Sequence, residues 1–365
     1  AKGRSAAGGT GATNTAGLIM GGTPYSPAAV AERWDGTSFS TSATLSTARY
    51  GAGISDGSTN GIIAGGRTST APTAVVEEFN SSANTFTAAA WASGGAMGSA
   101  LRGRASGGIQ TAAIAAGGES PRTTDTEYYD GSSWSEQNNM ATARNQLGGA
   151  GSQTAFLVFG GENPGTTNNV ETESWDGSSW SEVNDLSTGR RNTGAFGTQT
   201  AAVAAGGFTP PGASTYNSVV EEWNGSSWSA NPNALPSARA QIDAVGTATA
   251  GLVFGGITPP SATYQKATFS FDGTSFSAGG DLITATSESL MTAGSQTAGL
   301  VAGGYTPSAS TKTEVYDGTA WSTRPSMSTA RGAGAGLGST SVSTAALAGG
   351  GNNPGGDTSA TRRIY

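Results

Sequence analysis

The sequence predicts an all-β protein assembled from one repeated unit, and three observations carry that expectation. Doubled glycines preceded by a small apolar run recur at Gly21, Gly65, Gly117, Gly160, Gly206, Gly255, Gly303 and Gly349, spaced 43 to 52 residues apart. A period of that length marks stacked supersecondary units. An aromatic residue leading into an Asp-Gly-like turn, with a second aromatic beyond it, recurs in seven of those units. Glycine supplies 58 residues, and no long stretch carries a helical pattern, which together favour short strands joined by turns.

Residues 282–337 show the unit best. The run Thr297-Ala-Gly-Leu-Val-Ala302 is apolar on both parities, as expected of a strand covered on both faces. The glycine pair ending it costs backbone entropy, so it must supply a positive φ, a bulge or close approach of neighbouring backbones. A polar connection, Tyr305 to Thr311, leads to a strand ending in Tyr316 and Asp317-Gly318. Asp-Gly suits a tight hairpin turn, and pairing across it places Tyr316 and Trp321 on one face. Met327-Ser-Thr-Ala-Arg331 then enters a Gly/Ala-rich strand and the cycle restarts. One aromatic row is Trp34, Phe79, Tyr129, Trp175, Trp223, Phe271, Tyr316 and Tyr365; the other is Phe39, Phe86, Trp134, Trp180, Trp228, Phe276 and Trp321.

A chain of 365 residues exceeds the usual size of one hydrophobic core. Repeats remove that limit, because each unit buries its faces only against its neighbours. A single domain over residues 1–365 is therefore expected. Charged residues are 12% of the chain, against about a quarter in ordinary domains. The net charge of -7 without a basic run disfavours nucleic acid as a partner. The longest apolar runs are too short to span a bilayer, so no membrane insertion is expected. With no cysteine and no histidine, thiolate and imidazole metal sites and Ser-His-Asp or Cys-His catalysis are excluded. Asp-Gly-Ser-Ser lacks the run of oxygen ligands that calcium takes. The reading is of no metal and no cofactor.

A four-stranded meander with a doubled glycine after the second strand and aromatics on the third and fourth resembles the kelch repeat, along the whole chain. The short Asp-Gly turn with a nearby Trp is similar to Gly/Ser-rich kelch-like repeats of marine bacteriophage structural proteins. The resemblance implies a β-propeller of four-stranded antiparallel blades around a central channel. Counting units gives eight blades, with seven as the alternative. The span from Ala88 to Ala105, containing Trp91, reads as a longer surface loop. The chain stops at a third-strand aromatic, Tyr365, and residues 1–9 look committed to a first strand. The last blade is therefore expected to lack its outer strand, leaving an edge near Thr358 to Tyr365 for a neighbouring subunit or other structural protein.

A glutamate stands two places before the first-row aromatic at Glu32, Glu77, Glu127, Glu173, Glu221 and Glu314, and an arginine follows at a near-constant interval at Arg49, Arg144, Arg190 or Arg191, Arg239 and Arg331. In the second unit it is delayed to Arg102 or Arg104. Where the glutamate is replaced by Phe269, the arginine's place is taken by Thr286. That joint loss predicts ion pairs such as Glu173 with Arg190 or Arg191 and Glu314 with Arg331, because removing one partner strands a buried charge. A ring of arginines binding an anion in the channel is the alternative.

The connections after the second strands are long and unlike one another. Constant framework with variable loops is the layout of a recognition surface, and Tyr25, Arg67, Arg122, Tyr216, Tyr264 and Tyr305 are its candidate ligand-binding residues. The copper site of the galactose oxidases within the resembled family would need imidazole and cysteine, both missing here, and nothing marks the carboxylate pair of a glycosidase. The expected function is a non-enzymatic structural or attachment module, extracellular or on a virion surface, binding glycan or protein through its loop face. A glycan-active enzyme with a channel carboxylate pair and an intracellular protein-interaction scaffold are the alternatives.

Overall fold

The computed structural model describes residues 8–13, 16–20, 28–34, 39–49, 53–55, 60–64, 67–74, 76–80, 91–119, 121–165, 168–209, 215–288, 291–333, 335–338 and 346–364. It divides into two compact units, Ala1–Thr87 and Ala88–Tyr365. The first unit holds a four-stranded antiparallel sheet, Gly8–Thr13, Ala16–Met20, Ala28–Trp34 and Phe39–Arg49, and a three-stranded one, Gly53–Ser55, Asn60–Ala64 and Val76–Asn80. Both follow the order of the repeat.

The second unit holds six four-stranded sheets. Five are built from consecutive segments, at 105–137, 148–183, 194–231, 243–278 and 291–324. The sixth takes Ala335–Gly338, Ala346–Gly349 and Thr361–Ile364 from the end of the chain and Trp91–Gly94 from the start of the unit. Each innermost strand packs against the next, and the last, Ala335–Gly338, packs against the first, Ala105–Ile109. The ring is thus a closed propeller of six blades.

This corrects the expected count of eight, or seven. The doubled glycines of the first two repeats, Gly21 and Gly65, fall in the other compact unit, and among the described residues no strand before Trp91 belongs to this ring. The last blade does not lack its outer strand either. Trp91–Gly94 pairs antiparallel with Thr361–Ile364, with Arg362 opposite Ser93 and Ile364 opposite Trp91, so the edge expected to be open is occupied by the chain itself. The segment read as a surface loop, Ala88 to Ala105, contains that strand. In register, Ile364 takes the third-strand aromatic position, and Tyr365 lies outside the described residues.

The repeated residues explain why most seams are alike. Within a blade the aromatic rows face each other: Trp175 is opposite Trp180, Trp223 opposite Trp228 and Tyr316 opposite Trp321. Four residues separate each such pair, not the two of a tight hairpin, and the aspartate closes the loop. Asp176 Oδ1 accepts from the backbone N–H of Ser178 and Ser179, each at 2.8 Å, and these bonds hold its carboxyl down at about 2.

Between blades, the fourth-strand tryptophan reaches back to a buried threonine. Trp180 Nε1 donates to Thr126, Trp228 Nε1 to Thr172, Trp321 Nε1 to Thr268 and Trp134 Nε1 to Thr361, all at 2.9–3.1 Å. The Trp134 bond crosses the closure of the ring. At the remaining such seam among the first five blades, Val220 and Phe276 replace the pair and pack in one apolar cluster. The doubled glycine is set by close approach. Gly160 and Gly161 have φ of 64° and 92°, a Cβ on Gly160 would meet the Arg190 carbonyl oxygen at 2.4 Å, and Gly161 N–H donates to that oxygen.

Candidate ligand-binding site

Each blade begins on one residue in the left-handed region: Gly103, Gln146, Asn192, Gln241, Glu288 and Ala333, with φ of 65°, 54°, 52°, 54°, 43° and 50°. Their backbones are bonded head to tail. Gln146 N–H donates to Gly103, Asn192 to Gln146, Gln241 to Asn192, Glu288 to Gln241, Ala333 to Glu288 and Gly103 to Ala333, at 2.7–3.3 Å. A closed circle of six backbone hydrogen bonds surrounds the channel on the face where the long connections open.

Behind the circle sit the glutamates and arginines of the repeat, with partners other than those expected. Arg144 Nη2 donates to Glu173 Oε1 at 2.7 Å, Arg190 is bonded to Glu221, and Arg104 to Glu127. Each arginine lies ahead of the glutamate it meets, in the segment entering the same blade, rather than after it. The other carboxylate oxygen accepts from the chain leading in: Ala141 N–H to Glu173 Oε2 and Ser187 N–H to Glu221 Oε2, both at 2.8 Å. The pair therefore fastens the incoming connection to the third strand.

Phe269 and Thr286 belong to two different pairs. Arg239 lies over the Phe269 ring at 4.7 Å, and burial lowers its pKa to about 10, with Asp281 opposing. Glu314 accepts from the backbone of Ile283 and Thr284 and from Lys312, at 2.9, 3.2 and 3.3 Å. Arg331 donates to the Ala360 carbonyl at 2.7 Å, and Arg362 stands at the glutamate's register position. Glu32 and Arg49 are buried in the first unit. The arginines and glutamates paired within the propeller serve its frame; among the described residues they do not gather into an anion-binding ring.

The circle opens into a cavity of about 380 Å³ lined by Arg102, Glu119, Gln146, Asn192, Gln241, Glu288 and Tyr305 among others. That volume falls within the roughly 300–1,000 Å³ of small-molecule sites. One side is polar. Arg102 meets Glu119 at 3.0 Å, Asn145 Nδ2 donates to Glu119 Oε2 at 2.6 Å, Arg122 meets Glu162 at 2.8 Å and Arg191 meets Glu162 at 2.9 Å. Further round the ring the surface is aromatic. Tyr216 packs on Phe208 with ring centroids 5.1 Å apart, Tyr264 packs against the Phe208 and Ile257 cluster, and Tyr305 donates to Asn352 Oδ1 at 3.3 Å. Another cavity of the channel, about 210 Å³, is lined mostly by glycine, alanine and serine or threonine.

Of the residues named from sequence, Arg122, Tyr216, Tyr264 and Tyr305 lie on this face, and Tyr305 reaches the cavity. Arg67 is exposed in the first unit and Tyr25 lies outside the described residues. The circle itself is not among the expectations drawn from sequence. Its signal is a polar residue two places after the repeat's arginine: Gln146 after Arg144, Asn192 after Arg190, Gln241 after Arg239. Among the described residues no cluster of three or more metal-binding side chains occurs, and no helix is long and apolar enough to cross a membrane.

The chain matches no family model and no curated protein. It is similar to the solved structure of YjhT, with a TM-score of 0.59 and 15% identity over 73% of this chain and 95% of that one. At that identity the likeness concerns the fold. The closed ring of blades and this likeness together identify the chain as containing a β-propeller.

Proposed function

We propose that the protein is a non-enzymatic attachment module of an extracellular or virion-surface assembly, which captures glycan at the channel mouth on its long-loop face. The observation that carries the reading is the cavity, where polar groups from the circle and from the long connections converge beside Tyr305. Convergent hydrogen-bonding groups bordered by aromatic surface suit a polyhydroxylated ligand. Few charges and a kelch-like pattern rich in glycine and serine support the setting. Neighbouring subunits or other structural proteins are the proposed partners, through surfaces other than the edge that residues 91–94 cover. The test is binding of the purified protein to printed glycans, with Tyr305→Ala as the variant. Reproducible binding weakened by that change supports the reading; capture of protein partners without any glycan would overturn it in favour of an interaction scaffold.

A second reading follows from Glu288, whose carboxyl is pushed up chiefly by burial and further by Glu119. Two carboxyl groups lining one cavity are one part of what glycoside hydrolysis requires. Turnover of a bound glycan, abolished by either Glu119→Gln or Glu288→Gln, would favour it over simple capture.

A further inference from the structure

The chemistry of the mouth narrows what it takes, an inference that rests on the glycan reading above. In the circle of six, the other five positions hold Gly103, Gln146, Asn192, Gln241 and Ala333, all uncharged; Glu288 alone is acidic. The circle is closed by backbone groups, so the fold needs no carboxylate there. Asn192 Nδ2 and Gln241 Nε2 both donate to Glu288 Oε1, at 3.3 and 2.7 Å, which leaves Oε2 its accepting capacity at the cavity. Burial disfavours the ionised form of this group. An acidic side chain kept where burial opposes its charge, in a circle that backbone groups already close, points to a site.

The cations around it are already matched. Arg102 has Glu119 at 3.0 Å and Asp357 at 3.9 Å, Arg191 has Glu162 at 2.9 Å, and Arg104 is bonded to Glu127. An anionic ligand would face Glu288 and Glu119 and would have to draw an arginine away from its carboxylate, at a desolvation cost. Hydroxyl groups meet no such penalty. They donate to a carboxylate and accept from amide N–H groups, and Gln146, whose Oε1 accepts from Arg191 at 2.8 Å, keeps its amide N–H groups to offer. Tyr305, its ring held against the backbone of Gly332 where a Cβ would approach to 2.6 Å, supplies a fixed border.

We propose that the channel mouth binds a neutral sugar residue, with Glu288 accepting hydrogen bonds from its hydroxyls between the Asn192 and Gln241 amides and Tyr305 bordering the ligand. The test applies the full chain to an array of printed neutral, sialylated and sulfated oligosaccharides, followed by titration calorimetry with the strongest neutral oligosaccharide. Wild type, Glu288→Gln and, as a control on an exposed outer strand, Glu182→Gln are compared, with thermal unfolding confirming that each is folded. The expected result is binding of neutral sugars, weakened about tenfold or more by Glu288→Gln, the scale of one lost charge-assisted hydrogen bond, and changed less than about twofold by Glu182→Gln. Binding confined to acidic sugars, or an affinity unaltered by Glu288→Gln, overturns the inference and leaves glycan attachment standing. Binding to no sugar of any charge overturns both.

Discussion

Arg144 is bonded to Glu173, 29 residues further along the chain, with Nη2 and Oε1 2.7 Å apart, while Arg190, nearer to Glu173 in sequence, is committed to Glu221. Both members of the Arg144 pair are almost completely buried. The guanidinium also donates to the carbonyls of Gly160 and Glu171, at 2.9 and 2.7 Å. One side chain thus holds the end of the second strand, the start of the third and the connection between blades.

Removing either partner leaves a buried charge without its counterpart. Glu173→Ala and Arg144→Ala should each destabilise by about 3–5 kcal/mol, and the double variant by clearly less than their sum. Glu173→Ala combined with Arg190→Ala should be close to additive, since Arg190 serves another blade. Chemical denaturation of wild type and the five variants, Arg190→Ala alone among them, decides it; coupling of Glu173 to Arg190 in place of Arg144 would contradict the pairing.

Thr172 receives the indole N–H of Trp228 at 3.1 Å. Thr172→Val should cost about 1–3 kcal/mol, because the buried donor loses its acceptor. Adding Trp228→Phe should cost less than that change does alone, since Val220 and Phe276 already form such an apolar seam. Denaturation midpoints measure both, and simple additivity would show that the bond is idle.

Much of this frame is legible in the residues. Doubled glycines, paired aromatics and a repeat of 43 to 52 residues lead to the meander, its order and the face carrying the long connections. Two things are not legible, for definite reasons. In a periodic chain, an arginine that follows one glutamate also precedes the next, so spacing alone leaves the partner undetermined. Phe269 and Thr286 look like one lost pair but are single losses from two neighbouring ones, each compensated: Arg239 by an aromatic face, Glu314 by Lys312 and backbone N–H groups. Counting repeats also cannot say which of them close a ring. Trp91-Ala-Ser-Gly94 carries almost no strand pattern, and its place is fixed by a strand edge at the opposite end of the propeller's sequence, Thr361–Ile364.

Glu288 should make stability depend on pH in a particular sense. Its carboxyl is raised above the ordinary 4.5, chiefly by burial, with Gln241, Arg102 and Arg191 favouring ionisation and Glu119 opposing it; Tyr264 and Tyr305 are the other titratable neighbours. A group whose pKa is raised on folding contributes its full stability below the unfolded value and loses it as pH rises through the folded one. Glu288→Gln, which cannot ionise, should therefore melt at the same temperature as wild type below pH 4.5 and higher near neutrality, by about 2–4 °C per kcal/mol. Melting curves from pH 4 to 8 check this; a gap that opens on the acid side would contradict it.

The closure of the ring by residues 91–94 is the claim on which the blade count and the channel mouth both depend. Paired strand residues have Cα atoms about 4.5–5.5 Å apart, within disulfide reach, and the chain has no cysteine of its own. Cysteines placed at Ser93 and Arg362, or at Ala92 and Arg363, the two adjacent pairs in register, should therefore join on mild oxidation. The account predicts, for at least one of these two double variants, a monomer carrying one internal disulfide, with a proteolytic fragment around residue 93 linked to one around residue 362. Free thiols in both double variants, or cross-links only between chains, would contradict it.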